Sequence, residues 1–287
     1  MKSQQSCDTA ETRAGPGREL PLSLLYEAPG LPGWGLPAGL AAAYGGDLGF
    51  AEPCTYANFV ASLDGVTALG PEYPSSGSAI SWGEPADRFV MALLRACADA
   101  VLIGAGTLRA TPRHLWTPGH VWPGTEEFTE LRRARRRPAG PELIVATASG
   151  DLPAGHPALQ AGAVIATTAG GARRLDGRLP AACSVLAIGG GPGLRPAELL
   201  TAVRGRGHAC VLTEGGPRLL GQLARDRLLD ELFLTVAPVL AGRADTERPG
   251  LLAGIELLPG RRGATRLLSV RHSASYLFLR YRLRSHE

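Results

Sequence analysis

A chain of 287 residues, 45% hydrophobic and 20% charged, has the apolar content to bury a full core, which excludes disordered and fibrous classes. A net charge of +4 is a mild basic excess, and no apolar run approaches the roughly 20 residues of a membrane span. Five scattered cysteines without a C-x-x-C pair indicate neither a disulfide framework nor a zinc knuckle. The polar start M-K-S-Q-Q-S-C-D lacks the apolar core of a signal peptide, so a cytoplasmic protein with reduced thiols is expected.

In chain order, residues 1–20 read as a disordered tail and 21–50 as an N-terminal extension, a Pro/Gly-rich strap with a short helix at Ala38 to Tyr44. Residues 51–287 read as one domain. T-Y-A-N-F-V-A-S-L-D-G, 55–65, is a buried strand running into a turn at Asp64-Gly65. Pro85 opens a helix to about Ala98, with Phe89, Val90, Leu93 and Leu94 on one face, and a strand follows at Ala100 to Ile103 with small residues Gly104 and Gly106 at its tip. A long loop, 110–125, precedes a basic helix from Glu126 to Arg137. Strands are predicted at Leu143 to Thr147, Val164 to Thr167 and Val185 to Gly189, then a helix at Pro196 to Arg204. After a helix at 217–227 come apolar runs at Leu232 to Val236, Arg266 to Arg271 and Tyr276 to Leu283, the last two alternating as an antiparallel hairpin. This order gives an α/β protein, a mixed sheet flanked by helices on both faces.

The segment V-L-T-E-G-G-P-R-L-L-G-Q-L, 211–223, breaks an apolar strand at Glu214-Gly215-Gly216 and resumes with helical spacing. Glycines let a ligand approach the backbone, Pro217 suits a first helical position, and the free N–H groups that follow favour an anion such as a phosphate or pyrophosphate. A plain strand-to-helix turn would use the same glycines. Three strand tips, carrying Asp64, Thr107 and Glu214, converge on one expected cleft. Gly104-x-Gly106 is followed by Arg109 where a dinucleotide fingerprint needs its third glycine, which argues against a standard Rossmann domain.

No Ser-His-Asp order, H-E-x-x-H or G-x-S-x-G is present, as suits hydride transfer, where the protein supplies orientation and a proton source rather than a nucleophile. Of the six histidines only His114 is placed to enter the cleft. The run R-R-A-R-R-R, 132–137, reads as a solvated basic helix face; without interleaved aromatics it is a poor nucleic-acid surface. Neither a nucleic-acid nor a membrane partner is expected.

S-L-D-G at 62–65, L-L-R at 93–95, D-A-V-L-I-G-A-G-T at 99–107, E-G-G-P-R-L-L-G at 214–221 and L-L-D-E-L-F-L-T-V-A-P-V-L-A-G at 228–242 together resemble the pyrimidine reductase of riboflavin biosynthesis. That reductase is the C-terminal domain of the bifunctional deaminase-reductase. The resemblance implies a dihydrofolate-reductase-like fold, an NADPH cofactor and a homodimer. The H-x-E and P-C-x-x-C zinc motifs of the deaminase half are missing, so the chain resembles a stand-alone reductase.

Carried over residue by residue, the resemblance puts the cofactor pyrophosphate at Gly215, Gly216, Pro217, Arg218, Leu219 and Leu220, with Thr107, Thr111 and Thr147 or Ser149 as further contacts. Arg95 and Glu214 match substrate-binding positions. Asn58 sits where stand-alone relatives have Asn, and with Asp64 it is expected at the reacting end, Asp64 as a proton relay or hydroxyl acceptor. The chain departs from the family at Arg109-Ala110-Thr111-Pro112-Arg113-His114, where a carboxylate four positions after Thr107 is usual, and the family's substrate-loop arginine is absent, with Arg113 as its replacement. Arg95 and Arg113 would then grip a substrate phosphate. The implied activity is reduction of an aminopyrimidine phosphoribosyl compound to its ribityl product; the alternatives are a dihydropterin or other small-heterocycle reductase, and a non-catalytic nucleotide-binding protein. The alternating run 266–284 is the expected dimer edge.

Overall fold

The computed structural model describes residues 22–70, 73–124, 126–189, 191, 193–243, 248–259 and 265–283; the expected tail at 1–20 lies outside them. In chain order the elements are β1 (Ser23–Glu27), α1 (Ala38–Tyr44), β2 (Cys54–Ala61), α2 (Ser76–Ile80), α3 (Pro85–Cys97), β3 (Ala100–Gly104), α4 (Ala105–Ala110), α5 (Pro118–Val121), α6 (Glu127–Ala134), β4 (Glu142–Thr147), α7 (Pro157–Gln160) and β5 (Val164–Thr167). Then follow α8 (Ala169–Leu175), β6 (Ser184–Ala187), α9 (Pro196–Arg204), β7 (Cys210–Thr213), α10 (Pro217–Arg225), β8 (Glu231–Val236), β9 (Arg266–Ser273) and β10 (Tyr276–Arg282). The helices expected at Ala38, Pro85, Pro196 and Pro217 all form. The loop expected at 110–125 carries the short α5, and the expected tip of β3 continues into α4.

The strands make one sheet in the order β1-β9-β10-β8-β2-β7-β3-β4-β5-β6. From β8 to β6 the neighbours run parallel, while β10, β9 and β1 add antiparallel strands at one side. Strand alternation divides the core. Tyr56, Val101, Ile103, Val145 and Ile165 face a layer built by α1, α3, α5, α6 and α7. Ala57, Leu102, Ile144, Val164 and Ala166 face α9 and α10 on the other side. The mixed sheet with helices on both faces is the architecture that the sequence order implied.

Two expectations are corrected. The alternating hairpin at the C-terminus is not a sheet edge, because β1 of the N-terminal extension pairs with β9, and β10 pairs with β8. The outer strands are β1 and β6, and β1 exposes Leu24, Leu25 and Tyr26. The extension at 21–50 thus shares the sheet of the main domain, and its Leu36, Leu40, Tyr44, Leu48 and Phe50 lie in the same core.

The basic run is the second correction, for only Arg133 and Arg136 of its arginines are exposed to solvent. Arg132, 1% exposed, donates through Nη1 to the Ala96 and Ala98 carbonyls at 3.0 and 2.7 Å and through Nε to Pro138 O at 2.6 Å. Those carbonyls end α3, whose last turn has no intrahelical donors left. Arg137 bonds Cys97 O at 2.6 Å and Asp99 Oδ1 at 2.5 Å, and Arg135 and Arg137 lie over the Trp34 ring at 4.2 and 4.7 Å. The run therefore clamps the α3-to-β3 connection and the N-terminal extension together. Arg132→Met should destabilise the protein by about 2 to 4 kcal/mol, since it strands buried carbonyls that bonded a charged group. A urea unfolding curve of the variant measures it, and Arg133→Met on the exposed side of the same helix is the control.

Candidate functional site at the carboxyl edge of the parallel strands

The chain leaves β2 to build β3 beyond the place that β7 later fills, and then returns to put β8 on the other flank of β2. The order of connection reverses around β2 and β7, and ligands of open α/β sheets bind beyond the carboxyl ends of strands at such a point. The tips of β2, β3 and β7 lie there, and they carry the Ser62 to Gly65, Gly104 to Thr107 and Glu214 to Gly216 segments.

An ion pair organises this edge. Arg95, in the last turn of α3 and 1% exposed, donates to Glu214 through Nε to Oε1 at 3.0 Å and Nη2 to Oε2 at 2.6 Å, a bidentate fork. Its Nη1 donates to the carbonyls of Leu115 and Thr117 at 3.2 and 3.4 Å, and Nη2 also meets His114 Nε2 at 2.8 Å. Every donor of the guanidinium is engaged, so Arg95 has none for a substrate phosphate. This corrects its expected role: Arg95 orients Glu214 and the 114–117 loop. Because Arg95 can only donate, His114 Nε2 accepts and its proton sits on Nδ1. Burial first, then the Arg95 charge, pushes the His114 pKa down to about 2, so the ring is neutral at any working pH. His114 also meets Trp116 and His120 edge-on, with centroids 5.1 and 4.7 Å apart.

The glycine turn has a division of labour that the sequence did not show. A Cβ on Gly215 would meet the Leu219 side chain at 2.5 Å, so this glycine is required by the return of α10 over the turn. A Cβ on Gly216 would meet only Thr107 Oγ1, at 3.6 Å, in ordinary contact. Gly216 and Thr107 thus lie next to each other in front of α10. The Leu220 N–H donates to Gly216 O at 3.1 Å, while the N–H groups of Arg218 and Leu219 have no intrahelical acceptor. Arg218 is exposed beside them, Pro217 supplies the first position, and Leu220 is buried in the core beneath. Thr111 Oγ1 is turned back onto Thr107 O at 2.8 Å, and Thr147 Oγ1 accepts the Gly150 N–H at 3.1 Å, so these two threonines shape loops.

Asp64 and Asn58 are not brought together. Asp64 is exposed and accepts from Ser62 Oγ at 2.5 Å and from the Ala241 and Gly242 N–H groups at 3.0 and 2.8 Å. The Ser62 hydroxyl, then the Ala241 amide, holds its pKa down to about 2, which suits a loop staple and not a proton relay. Asn58 lies deeper in β2, opposite Phe233, and lines a small, half-open space of about 10 Å³ with Val90, Thr235 and Phe278. Arg113 is exposed on the 111–114 turn, with no ion pair among the described residues.

The sequence reading missed Asp87. It is 5% exposed in the first turn of α3, with the Thr235 and Ser81 hydroxyls beside it, and burial pushes its carboxyl up to about 6. A signal existed, since 87, 90 and 94 share the helix face that holds Val90 and Leu94.

Comparisons with known proteins bear on the family and the fold. The family model described as the RibD C-terminal domain matches residues 53–266. A pyrimidine reductase-like protein of Corynebacterium diphtheriae superposes with a TM-score of 0.61 at 19% identity, covering 88% of this chain and 96% of that one. RibD of Acinetobacter baumannii gives 0.60 at 19% identity over 86% of this chain, which spans 61% of that longer protein. The riboflavin biosynthesis reductase of Saccharomyces cerevisiae gives 0.56 at 14% identity, covering 84% and 94%. No curated protein matches.

Two outcomes are expected. Gly215→Val should lower the melting temperature, because it collides with Leu219, whereas Gly216→Val should keep the fold and lose affinity for a pyrophosphate ligand; thermal melts and calorimetry on both separate the roles. The Asp64 staple should be independent of pH down to about 4. A carboxyl with a folded pKa below its unfolded value contributes stability above the unfolded pKa and loses it as pH falls through the folded one, so the loop should loosen only towards pH 2. Amide exchange at Ala241 and Gly242 reads this directly.

Proposed function

Because the chain belongs to the RibD C-terminal domain family, we propose that it is an NADPH-dependent reductase of the riboflavin pathway, reducing the ribose of an aminopyrimidine phosphoribosyl compound to a ribityl chain. The observation that carries this reading is the bare glycine turn at Gly216, next to Thr107 and at the start of α10, on the same sheet edge as the arginine-held Glu214.

The residues present fit a dinucleotide pyrophosphate. Gly216 leaves the backbone bare beside Thr107; the Arg218 and Leu219 amides and the positive helix end favour an anion; Thr107 Oγ1 adds a hydroxyl donor. The chain has no acidic ribose ligand set in a dinucleotide fingerprint, and Arg218 is an exposed cation at the turn, which supports the 2′-phosphorylated cofactor. When bound, a reduced nicotinamide supplies the hydride. The chain's own part is binding, orientation and proton supply. Glu214, fixed by two bonds from Arg95, is held as an acceptor for substrate hydroxyl or amino groups and cannot swing away.

Arg113, exposed on the 111–114 turn, is the side chain on this edge suited to a substrate phosphate now that Arg95 is committed elsewhere. That commitment also favours a second reading, reduction of an unphosphorylated heterocycle such as a dihydropterin. The deciding experiment is an assay with NADPH and NADH against a panel of the phosphoribosyl aminopyrimidine, its dephosphorylated form and a dihydropterin. The primary reading expects turnover of the phosphorylated pyrimidine with NADPH preferred; turnover of the pterin alone moves the second reading ahead. Arg113→Ala should raise KM for the phosphorylated substrate by about 1.5 to 3 kcal/mol in binding terms and leave kcat nearly unchanged, because a remote phosphate contact is uniform binding.

A further inference from the structure

At the edge of the sheet opposite the candidate site, the amino ends of β4, β5 and β6 border a cavity of about 280 Å³. That is close to the lower end of ordinary ligand pockets, roughly 300 Å³. Its floor is apolar and buried, formed by Trp116, Leu143, Ala158, Ala163 and Val164. Thr117, Ala161, Ala182 and Ser184 stand exposed at its mouth. The mouth is fixed by the backbone: Gly162, at φ +110°, lies so close to the turn before β6 that a Cβ would meet Ala182 O at 3.2 Å.

One buried donor in the floor is unused. Trp116 is 4% exposed, and its indole N–H donates to nothing among the described residues. It is also not one of the orphaned polar atoms sealed from solvent, which are Arg132 Nη2, Arg135 Nε, Thr167 Oγ1 and Arg204 Nε. The donor therefore opens on the space that Trp116 lines. A buried indole ordinarily finds an acceptor, and here a ligand would supply it. The carboxylate of the lining, Glu142, is taken by Arg206 and His208 at 2.7 Å each, so it offers a ligand no free charge. An apolar floor with one donor, hydroxyls at the mouth and no free charge suits a flat, uncharged ring system that carries a carbonyl.

The cavity shares a wall with the arginine junction. Leu115 and Thr117 line it, and their carbonyls accept from Arg95 Nη1 at 3.2 and 3.4 Å while the same guanidinium holds Glu214. A second tie runs through His156, which caps α7 by accepting the Ala158 N–H at Nδ1, 3.1 Å. Its Nε2 therefore carries the proton and donates to Thr111 O at 2.9 Å. The Trp116 ring lies between, with centroids 6.1 Å from His156 and 5.1 Å from His114.

We propose that this cavity binds an uncharged planar heteroaromatic compound bearing a ring carbonyl, and that its occupancy reaches Arg95 and Glu214 through the 115–117 loop. A ligand bonded to Trp116 favours one setting of that loop, and the loop carbonyls are ligands of Arg95. Neither part rests on the reductase reading.

The test uses the full chain and 2-quinolone as the probe. Calorimetry should give a Kd of about 0.1 to 1 mM, as suits a fragment-sized ligand. Trp116→Phe keeps a ring but removes the donor, and should weaken binding about 5- to 10-fold. Ala161→Phe and Ala182→Phe fill the exposed mouth and should abolish binding, with melting temperatures near that of wild type. 2-Naphthoate, similar in size but charged, should bind at least about tenfold more weakly. In an NMR titration the Trp116 indole N–H and the Arg95 Nε–H resonances should shift together. No binding of 2-quinolone, binding untouched by Trp116→Phe or by both mouth variants, a preference for 2-naphthoate, or a Trp116 shift with Arg95 unmoved would each overturn the proposal. If NADPH displaces the probe while Ala161→Phe still binds it, the probe lies at the carboxyl edge and the proposal fails, whatever reaction the protein performs.

Discussion

One buried guanidinium holds the candidate site together. Arg95 ends α3, yet its five donors reach the turn after β7, the carbonyls of Leu115 and Thr117, and the ring of His114. A helix, a strand tip and a loop that are far apart in sequence thereby share one rigid junction. Lysine could not serve, because a point charge with three rotatable donors cannot satisfy a bidentate carboxylate and two carbonyls at once. Burying this pair costs desolvation on both sides, so its return is geometric more than energetic: Glu214 has one position available to it.

The junction in turn depends on a second set of arginines. The carbonyls that end α3 are bonded by Arg132 and Arg137, whose side chains also secure the start of β3 through Asp99 and lie against Trp34 of the N-terminal extension. Arg95 sits in the turn that those residues fix. Loss of the extension would consequently reach the site through α3. The pairing of β1 with β9 and the stacking of Phe50 on Tyr56, 4.3 Å between centroids, tie the same segment to the sheet from its other end.

What could be read from the sequence was whatever depends on local order. The apolar periodicity of α3, the proline starts of α3, α9 and α10, and the glycine break at 214–216 each state their structure within a few residues, and each forms as expected. Residue roles set by distant partners were not legible. Arg95 is 119 positions from Glu214, and no local pattern says that the two neutralise each other. Asp64 reads as a strand-tip acid, but its partners Ala241 and Gly242 are 177 and 178 positions away along the chain, and they convert a supposed proton relay into a staple. The basic run misled for the same reason, since carbonyl acceptors from α3 carry no sequence signal. Asp87 was overlooked because an acid in a first helical turn usually serves the helix dipole, although its spacing from Val90 and Leu94 puts it on the buried face of α3.

The neutralisation of Glu214 also decides what the glycine turn can attract. An unpaired carboxylate two residues before Gly216 would set a full negative charge close to the positive end of α10, and the partial charge of a helix terminus, roughly half a unit, would not overcome it. With the arginine fork closed at 2.6 Å, the two formal charges cancel at short range. What remains in front of α10 is the helix end, the free Arg218 and Leu219 amides and the exposed Arg218 side chain, all of one sign. Under the proposed reading, the contact that would fix an acceptor for the substrate also leaves the neighbouring turn positive enough for a pyrophosphate. Two ligands of different chemistry would then lie side by side on one sheet edge, with Arg95 separating their electrostatics.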